Sequence, residues 1–375
     1  MSIETLEIKE PGLLTTVQDL GRYGYQRFGV PVSGAMDTFS LKTGNLLVGN
    51  DEGAAGLEMT VLGPRVRFLA ETWIAITGAN LSPALDGEPI PRWTAVKVPA
   101  DCDLSFQGAS DGMRSYLAVA GGIDVPVIMG SRSTYVKAAL GGLEGRALKA
   151  GDVLRVLEPG VEPVERGLPE HLSAPVYGHN HEIRVVLGPQ DRAFTADGTA
   201  TFLGSEYTVS IQSDRMGYRL EGPTIESADG PDIVSDGIPF GAVQIPGDGR
   251  PIILLADRGT TGGYAKIATV VSSDLGMLSQ AMPGDTITFK NVTVEESHRL
   301  LREQVEVLSS IHGKQPDLND AGDESAALMD DGAVEVRTEE GDSIAFPKVT
   351  DGPGSGRGRQ VRARVDGQDY EFEVD

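Results

Sequence analysis

The chain has 375 residues, including 48 glycines and 22 prolines, and a net charge of -23 at pH 7. Its length accommodates two or three domains with a sizeable buried core. The negative charge argues against nucleic acid and anionic membranes as partners, because phosphate binding requires clustered Lys and Arg and the sequence has no basic stripe.

Short β-branched runs between glycines and prolines predict a mainly β fold with few short helices. Asp37 is expected to cap a helix, "TFSLKTGNLLVGN", that stops at Gly49. A capping box of Thr293 and Glu296 predicts another helix, with Leu301, Val305 and Leu308 on one face. No apolar run approaches the roughly 18 residues of a membrane span. The single cysteine, Cys102, excludes an intrachain disulfide, so we expect a cytoplasmic protein.

Three sequence landmarks occur twice in the same order. "VLGP" starts at Val61 and Val186, an Arg precedes an apolar strand at "RSYLAVAGG" and "RPIILLADRGTTGG", and "GD" opens a strand at Gly151 and Gly284. Three matches in register favour a tandem duplication. We therefore predict a first domain over 1–160, a linker over 161–181 and a second domain over 182–310.

Histidines and the C-terminal segment complete the predicted organisation. His171, His179 and His181 lie in or beside the linker, where solvated side chains are favoured over a metal pair, so no metal site is expected. Residues 315–375 hold 16 acids against 6 Lys plus Arg, which predicts a flexible acidic tail over 311–375. Two alternating segments around an Asp-Gly turn predict a terminal β-hairpin in this tail.

Candidate site residues cluster in glycine-rich turns, since the sequence has no phosphate loop, HExxH, CxxC or GxSxG motif. Glycines let successive backbone N–H groups converge on an anion, and Arg supplies a two-pronged clamp for carboxylate or phosphate. Any one cluster is also explained by ordinary turn chemistry, but six similar clusters favour an oxyanion or phosphoryl site. The clusters and adjoining turns supply Gln18, Asp19, Gly21, Arg22, Ser33, Asp37, Asn80, Arg132, Ser133, Asp214, Arg215, Arg219, Asp236, Gln244, Arg258, Thr260, Thr261, Gly262, Gly263 and Tyr264.

The same motifs resemble one protein family over roughly residues 5–295. "GLLTTVQDLGRYGYQRFGVPVSGAMD", "ITGAN", "RSYLAVAGGIDVPVIMGSRST", "SDRMGYRLEGP" and "IVSDGIPFGAVQIPGDGRPIILLADRGTTGGYAKIATV" are similar to the allophanate hydrolase subunit 2 family, also called the biotin-dependent carboxyltransferase family. The resemblance implies two tandem cyclophilin-like β-barrel domains. It also implies a partner of the allophanate hydrolase subunit 1 type.

Three functions remain open from this resemblance. The first is a 5-oxoprolinase component that, with ATP, Mg²⁺, the subunit 1 partner and a lactam-opening subunit, converts a small-molecule lactam to glutamate. There Arg22, Arg215 or Arg258 would neutralise phosphoryl charge, the turn from Thr260 to Gly263 would donate N–H groups, and Asp19 would be a general base. The second is a carboxyltransferase that receives carboxybiotin in trans. The third is a regulator without chemistry that binds a kinase-inhibitor-like partner.

Overall fold

The computed structural model describes residues 2–228 and 230–311, and the backbone of five strands beyond residue 311. The chain divides into two compact units, Met1–Gly313 and Lys314–Asp375. Within the described residues of the first unit, four α-helices accompany a much larger number of strands. The predicted mainly β fold is therefore confirmed.

The first half of unit Met1–Gly313 contains two sheets and one α-helix. The larger sheet has the order β11-β12-β1-β4-β9-β6-β7, and the smaller has the order β2-β3-β10-β5-β8. Their elements are β1 (Ser2–Glu10), β2 (Leu14–Gln18), α1 (Thr38–Leu47), β3 (Gly56–Thr60), β4 (Arg65–Phe68), β5 (Thr72–Asn80), β6 (Ala84–Leu85), β7 (Glu88–Pro89), β8 (Ala95–Val98), β9 (Asp103–Ser105), β10 (Asp111–Val119), β11 (Ile123–Asp124) and β12 (Val153–Leu157). Alternating apolar residues of both sheets, such as Ile8, Phe68, Ile74 and Leu117, form one buried core.

The second half is a closed barrel with the strand order β13-β20-β17-β18-β15-β14-β21. A separate ribbon of β16 and β19 lies outside this ladder. The elements are β13 (Asn180–Leu187), α2 (Ala196–Gly204), β14 (Tyr207–Val209), β15 (Gly217–Glu221), β16 (Asp232–Gly237), β17 (Ala242–Gln244), β18 (Ile252–Leu254), β19 (Thr261–Tyr264), β20 (Lys266–Val270), α3 (Leu275–Ser279), β21 (Thr286–Asn291) and α4 (Val294–Ile311). Its core includes Ile183, Phe202, Val243 and Ile267. No helix in the described part of the chain is long and apolar enough to cross a membrane.

The helix caps follow the sequence, but the buried face of α4 does not. The Asp37 carboxylate accepts the Ser40 N–H at 3.0 Å, and Thr293 Oγ1 accepts the Glu296 N–H at 3.2 Å, so both predicted caps are confirmed. The residues buried on α4 are Leu300, Leu308 and Ile311. Of the three residues predicted to share one face, Leu308 is buried, whereas Leu301 and Val305 are 39% and 54% exposed because the helix packs through the neighbouring stripe.

The prediction that all three histidines are solvated is also wrong, because His181 lies in β13. Its side chain is buried, and its Nε2 pairs with the Asp285 carboxylate at 3.2 Å. The exposed His179 pairs with the other oxygen of the same carboxylate at 2.8 Å. Among the described residues, no group of three or more His, Cys, Asp or Glu side chains could hold a metal ion.

The unit Lys314–Asp375 contains short antiparallel pairings. Its strands are β22 (Ala326–Leu328), β23 (Val334–Arg337), β24 (Ser343–Phe346), β25 (Arg359–Val365) and β26 (Gln368–Val374). β25 pairs antiparallel with β26 from Arg359↔Val374 to Val365↔Gln368, which confirms the predicted terminal hairpin. Apart from these five strands and Ile311, the predicted acidic tail lies outside the described residues.

Candidate functional site

Asp19 joins two of the glycine-rich turns picked out by the sequence. One carboxylate oxygen accepts the Gly21 N–H at 2.8 Å and the Ser131 hydroxyl at 2.7 Å, together with the Ser133 hydroxyl. The other oxygen accepts the Arg132 N–H at 2.5 Å. With four donors within the chain, Asp19 fixes the loop after β2 to the loop over residues 131–133.

Arg22 is fully buried beside this junction. Its Nη2 donates to the Ser133 carbonyl, while Nε and Nη1 have no hydrogen-bond partner among the described residues. Burial lowers the pKa of Arg22, and the carboxylates of Asp19 and Asp257 act in the opposite direction. Arg22 is therefore an interior side chain, and its replacement should reduce the stability of the fold.

A Cβ at Gly141 would lie 2.5 Å from Arg22 Nη2 and 2.1 Å from the Ser133 oxygen. Gly141 also has φ of +68°, a conformation that favours glycine. The loop thus passes close to the guanidinium only because glycine occupies this position.

Arg215 connects the two halves of the unit. Its guanidinium donates to both Asp257 oxygens at 3.0 and 3.2 Å, to the Gly34 carbonyl at 2.6 Å, and to Glu58. Burial alone would lower the pKa of Arg215, but the two carboxylates outweigh it and raise the pKa. Ser33 Oγ also donates to Asp257 at 2.7 Å, so the ion pairs cross the boundary between the halves.

A second buried network continues from Glu58. Its other oxygen accepts the Tyr116 hydroxyl and the Met36 N–H, both at 2.8 Å. The Gln280 amide donates to Asp37 at 2.8 Å, and burial raises the pKa of Asp37. Arg114 donates to the Tyr218 hydroxyl at 2.5 Å. Polar groups of both halves thus satisfy one another in the interior.

Lys266 occupies one end of the closed barrel, where β20 begins. Its side chain is 1% exposed, and its ammonium donates to Asp236 at 2.8 Å and to the Gly237 carbonyl at 3.1 Å. The hydrogen bond from Lys266 lowers the pKa of Asp236. Since Asp236 belongs to β16, this pair joins the barrel to the ribbon.

Arg258 lies beside the same ribbon. Its Nε donates to the Ile238 carbonyl at 2.9 Å, and its guanidinium lies 5.3 Å from the centre of the Phe240 ring. Burial lowers the pKa of Arg258, and Tyr23 acts in the opposite direction. Among the described residues, Arg258 has no carboxylate partner. It is therefore a half-buried cation whose charge is available to an anion.

The predicted glycine-rich turn from Thr260 to Gly263 is for the most part the strand β19, which borders these two cations. Thr261 and Tyr264 are exposed, and Thr260, Gly262 and Gly263 are half-buried. Gln244 is buried opposite Lys266 in the β17–β20 pairing and donates to the Tyr264 carbonyl at 3.2 Å. A Cβ at Gly262 would lie 2.8 Å from Ile238 and 3.0 Å from the Gln244 amide, so glycine permits this close packing.

The side chains of four predicted site residues lie outside these clusters or serve their own turns. Asn80 accepts the Ser82 N–H at 3.0 Å, and Asp214 accepts the Met216 N–H at 2.7 Å. Arg132 Nε donates to the Val125 carbonyl at 3.1 Å. Arg219 is exposed on β15. The other predicted residues lie in three places: the Asp19 junction within the first half, which includes Gln18, the boundary between the halves, and the barrel end.

The sequence-based selection missed several residues of these networks, among them Glu58, Asp257, Lys266 and Gln190, whose amide donates to Asp236 at 3.2 Å. Asp257 adjoins Arg258 in the motif "ADRGTTGG", and Lys266 interrupts an apolar strand in "YAKIATV". An isolated lysine in a buried strand is a usable signal, because lysine is almost never fully buried without a partner. Glu58 and Gln190 have no comparable signal in the sequence.

The geometry defines a two-part β protein with a cationic, glycine-bordered barrel end. Residues 28–291 match the family described as carboxyltransferase domain, subdomain A and B. The chain belongs to this family, and the predicted family resemblance is confirmed.

Relatives in this family include components of two kinds of enzyme. The chain is 40% identical to the 5-oxoprolinase C subunit of Escherichia coli (strain K12) over 302 residues, which cover 80% of this chain and 95% of that protein. It is 38% identical to the 5-oxoprolinase C subunit of Haemophilus influenzae over 309 residues, 82% of this chain and 97% of that protein. Identity to Saccharomyces cerevisiae urea amidolyase is 36% over 326 residues, 82% of this chain and 18% of that protein.

The solved structure of K. lactis urea amidolyase aligns with a TM-score of 0.78 and 30% identity, covering 92% of this chain and 22% of that one. This chain thus spans about a fifth of the urea amidolyases that it matches.

Proposed function

We propose that the protein is the C subunit of a 5-oxoprolinase that opens 5-oxoproline to glutamate with ATP and partner subunits. The observation that carries this proposal is its match to 95% and 97% of the length of two proteins named as the C subunits of 5-oxoprolinases. The cations at the barrel end support it, because the substrate carries a carboxylate and the proposed reaction develops further negative charge.

In the proposed reaction, ATP phosphorylates the lactam oxygen and ADP is released. Water then adds to the activated ring carbon, inorganic phosphate leaves, and cleavage of the carbon–nitrogen bond gives glutamate. Arg258 is the cation that we assign to the transferring phosphoryl group, because its charge has no carboxylate partner among the described residues. Lys266 supplies a second positive charge close by, since it donates to the carbonyl of Gly237, the residue before Ile238. In β19, the backbone N–H groups that the pairing with β16 leaves unused would bind the developing oxyanion.

Asp19 and Arg215 receive positioning roles in this proposal. Four donors surround the Asp19 carboxylate, and all the hydrogen bonds of the Arg215 guanidinium are directed to groups of the protein interior. Proton abstraction from water would require Asp19 to give up donors that hold two loops together. We therefore propose that the general base is a group of a partner subunit and not Asp19.

Magnesium would arrive with the nucleotide. Mg²⁺ is commonly bound by one or two carboxylates together with substrate phosphates. Asp236 is the carboxylate at the barrel end, and Lys266 already pairs with it. The described residues contain no cluster of side chains that would hold a metal ion by itself. They are compatible with Mg²⁺ that is bound mainly by ATP and by a partner subunit.

Reconstitution tests the proposal. The chain alone should neither hydrolyse ATP nor open 5-oxoproline, and glutamate should form once a subunit of the allophanate hydrolase subunit 1 type and a lactam-opening subunit are added. Arg258→Met should abolish turnover in the assembled complex, whereas Arg299→Met, at an exposed ion pair of α4, should retain it. Turnover by the lone chain, or unchanged turnover by Arg258→Met, would reject the assigned roles.

A carboxyltransferase function is the second candidate, supported by the description of the matched family and by the urea amidolyase relative. Here carboxybiotin from another subunit would release CO2 at the barrel end, and Arg258 would stabilise the biotin oxyanion that remains. This oxyanion would take a proton from the acceptor, which then attacks CO2. Supplying biotin carboxylase, biotinylated carrier and urea in place of 5-oxoproline discriminates the two functions. Carboxylated product without glutamate formation would favour this second function.

A further inference from the structure

The Asp236 carboxylate is surrounded by three hydrogen-bond donors. One oxygen accepts the Lys266 ammonium at 2.8 Å and the Gln190 amide at 3.2 Å. The other oxygen accepts the Gly237 N–H at 2.8 Å. Gln190 also accepts the backbone N–H of Lys266 at 3.1 Å, so the amide and the ammonium are held together. These groups form a ready binding position for one carboxylate.

Burial differs sharply between the two ion-pair partners. The Lys266 side chain is 1% exposed, whereas the Asp236 side chain is 55% exposed on the ribbon outside the barrel ladder. An ammonium has three N–H donors, of which two have partners among the described residues. The buried cation therefore remains in place while the exposed anion faces solvent, where another anion can replace it.

We propose that Lys266 and Gln190 form the subsite for the carboxylate of the substrate, and that Asp236 occupies this subsite until substrate arrives. This inference rests on the proposed function for the identity of the substrate, 5-oxoproline. Replacing one carboxylate with another keeps the buried ammonium neutralised throughout, so binding avoids the large cost of an unpaired buried charge. Lys266 thereby becomes a substrate-binding residue, and Asp236 an internal competitor.

The position of Arg258 agrees with this arrangement. Lys266 donates to the Gly237 carbonyl and Arg258 donates to the Ile238 carbonyl, so the two cations contact consecutive residues at the end of β16. In 5-oxoproline, the carboxylate and the lactam oxygen are attached to ring carbons on either side of the nitrogen. When the carboxylate binds Lys266, the lactam oxygen can bind Arg258. This is the oxygen that is phosphorylated in the proposed reaction.

Kinetics of the assembled complex test the competition. Asp236→Ala should lower KM for 5-oxoproline several-fold, because it removes the internal competitor. Lys266→Met should raise KM about tenfold or more, the size expected for loss of a hydrogen bond to a charged group. Asp236→Ala should give no gain when Lys266→Met is also present, and Glu182→Ala, at an exposed ion pair of the same barrel, should leave KM unchanged.

A purely structural ion pair predicts the opposite sign for Asp236→Ala. Loss of a tether between ribbon and barrel would raise KM or leave it unchanged, and either result would overturn the inference. A wild-type complex with no 5-oxoproline turnover would instead reject the proposed function.

Binding to the isolated chain separates these failures, because it needs no turnover. The melting temperature of the Asp236→Ala variant should be higher in sodium acetate or 5-oxoproline than in sodium chloride of equal ionic strength. The gain should disappear in the double variant with Lys266→Met. An equal response of Asp236→Ala and the double variant would refute the carboxylate subsite, whatever the activity of the complex.

Discussion

Arg215→Met tests whether the buried ion pairs between the two halves serve stability. The guanidinium makes hydrogen bonds to Asp257, Glu58 and the Gly34 carbonyl, and removing it leaves two buried carboxylates without their cation. Breaking a buried pair by deleting one partner costs about 3–5 kcal/mol. Methionine preserves part of the side-chain volume, so the missing charge dominates the effect.

The remaining donors around the two carboxylates set the magnitude within that range. Glu58 retains the Tyr116 hydroxyl and the Met36 N–H, and Asp257 retains the Ser33 hydroxyl. These hydrogen bonds partly stabilise the carboxylates after the cation is lost. We therefore expect a loss at the lower end, about 3 kcal/mol in the free energy of unfolding.

Urea denaturation of the isolated chain measures this loss, and the midpoint should fall by about 1 M. Arg299→Met is the matched control, because Arg299 pairs with Glu296 and Glu303 on the exposed surface of α4 and should leave the midpoint in place. An unchanged midpoint for Arg215→Met, combined with loss of turnover in the complex, would refute the structural role and return Arg215 to the chemistry.

Three further predictions follow from burial and charge. Arg22→Ala should lower the free energy of unfolding by about 2–4 kcal/mol, because it empties a fully buried volume, and the better-filled Arg22→Met should cost less in the same urea titration. The folded-state pKa of Asp285 is lowered: burial opposes this shift, and the Met282 N–H and the two histidines outweigh burial. Its stabilisation is therefore present above the unfolded pKa of about 3.9 and is lost as pH falls through the folded value. Asp285→Asn should flatten the acid limb of stability measured against pH, and an unchanged limb would contradict this assignment. Truncation after Gly313, the end of the first compact unit, should leave the melting temperature of that unit unchanged; a large decrease would show that the following segment contributes to its stability.

Local sequence signals predicted local structure well. The Asp37 cap, the Thr293 cap and the hairpin around the final Asp-Gly turn each depend on residues close together in the chain, and each forms as expected. The turn clusters also contain Arg22 and Arg215, which the structure buries, and Arg258, which it leaves half-buried. Their partners could not be predicted from the sequence. Glu58, for example, lies 157 residues from Arg215, and no local rule connects positions so far apart.

Helix periodicity failed at α4 for a related reason. The apolar residues of this helix lie on two adjacent stripes, and Leu300 is buried whereas Leu301 is exposed. The element that packs against the helix decides which stripe is buried. The same dependence on tertiary contacts applies to Lys266. Its position in an apolar strand is visible in the sequence, but its pairing with Asp236 requires the ribbon to return over the barrel end.

The cations at the boundary between the halves and the cations at the barrel end have different roles. Arg114 and Arg215 lie between the halves, where tyrosine, carbonyl or carboxylate groups of the protein use their donors. At the barrel end, Arg258 has no carboxylate partner in the described part of the chain, and the partner of Lys266 is exposed. A cation enclosed by its own protein contributes to folding, whereas one with an exchangeable or missing anion contributes to binding. Substitutions in the first region should therefore change the urea midpoint first, and substitutions in the second should change KM first.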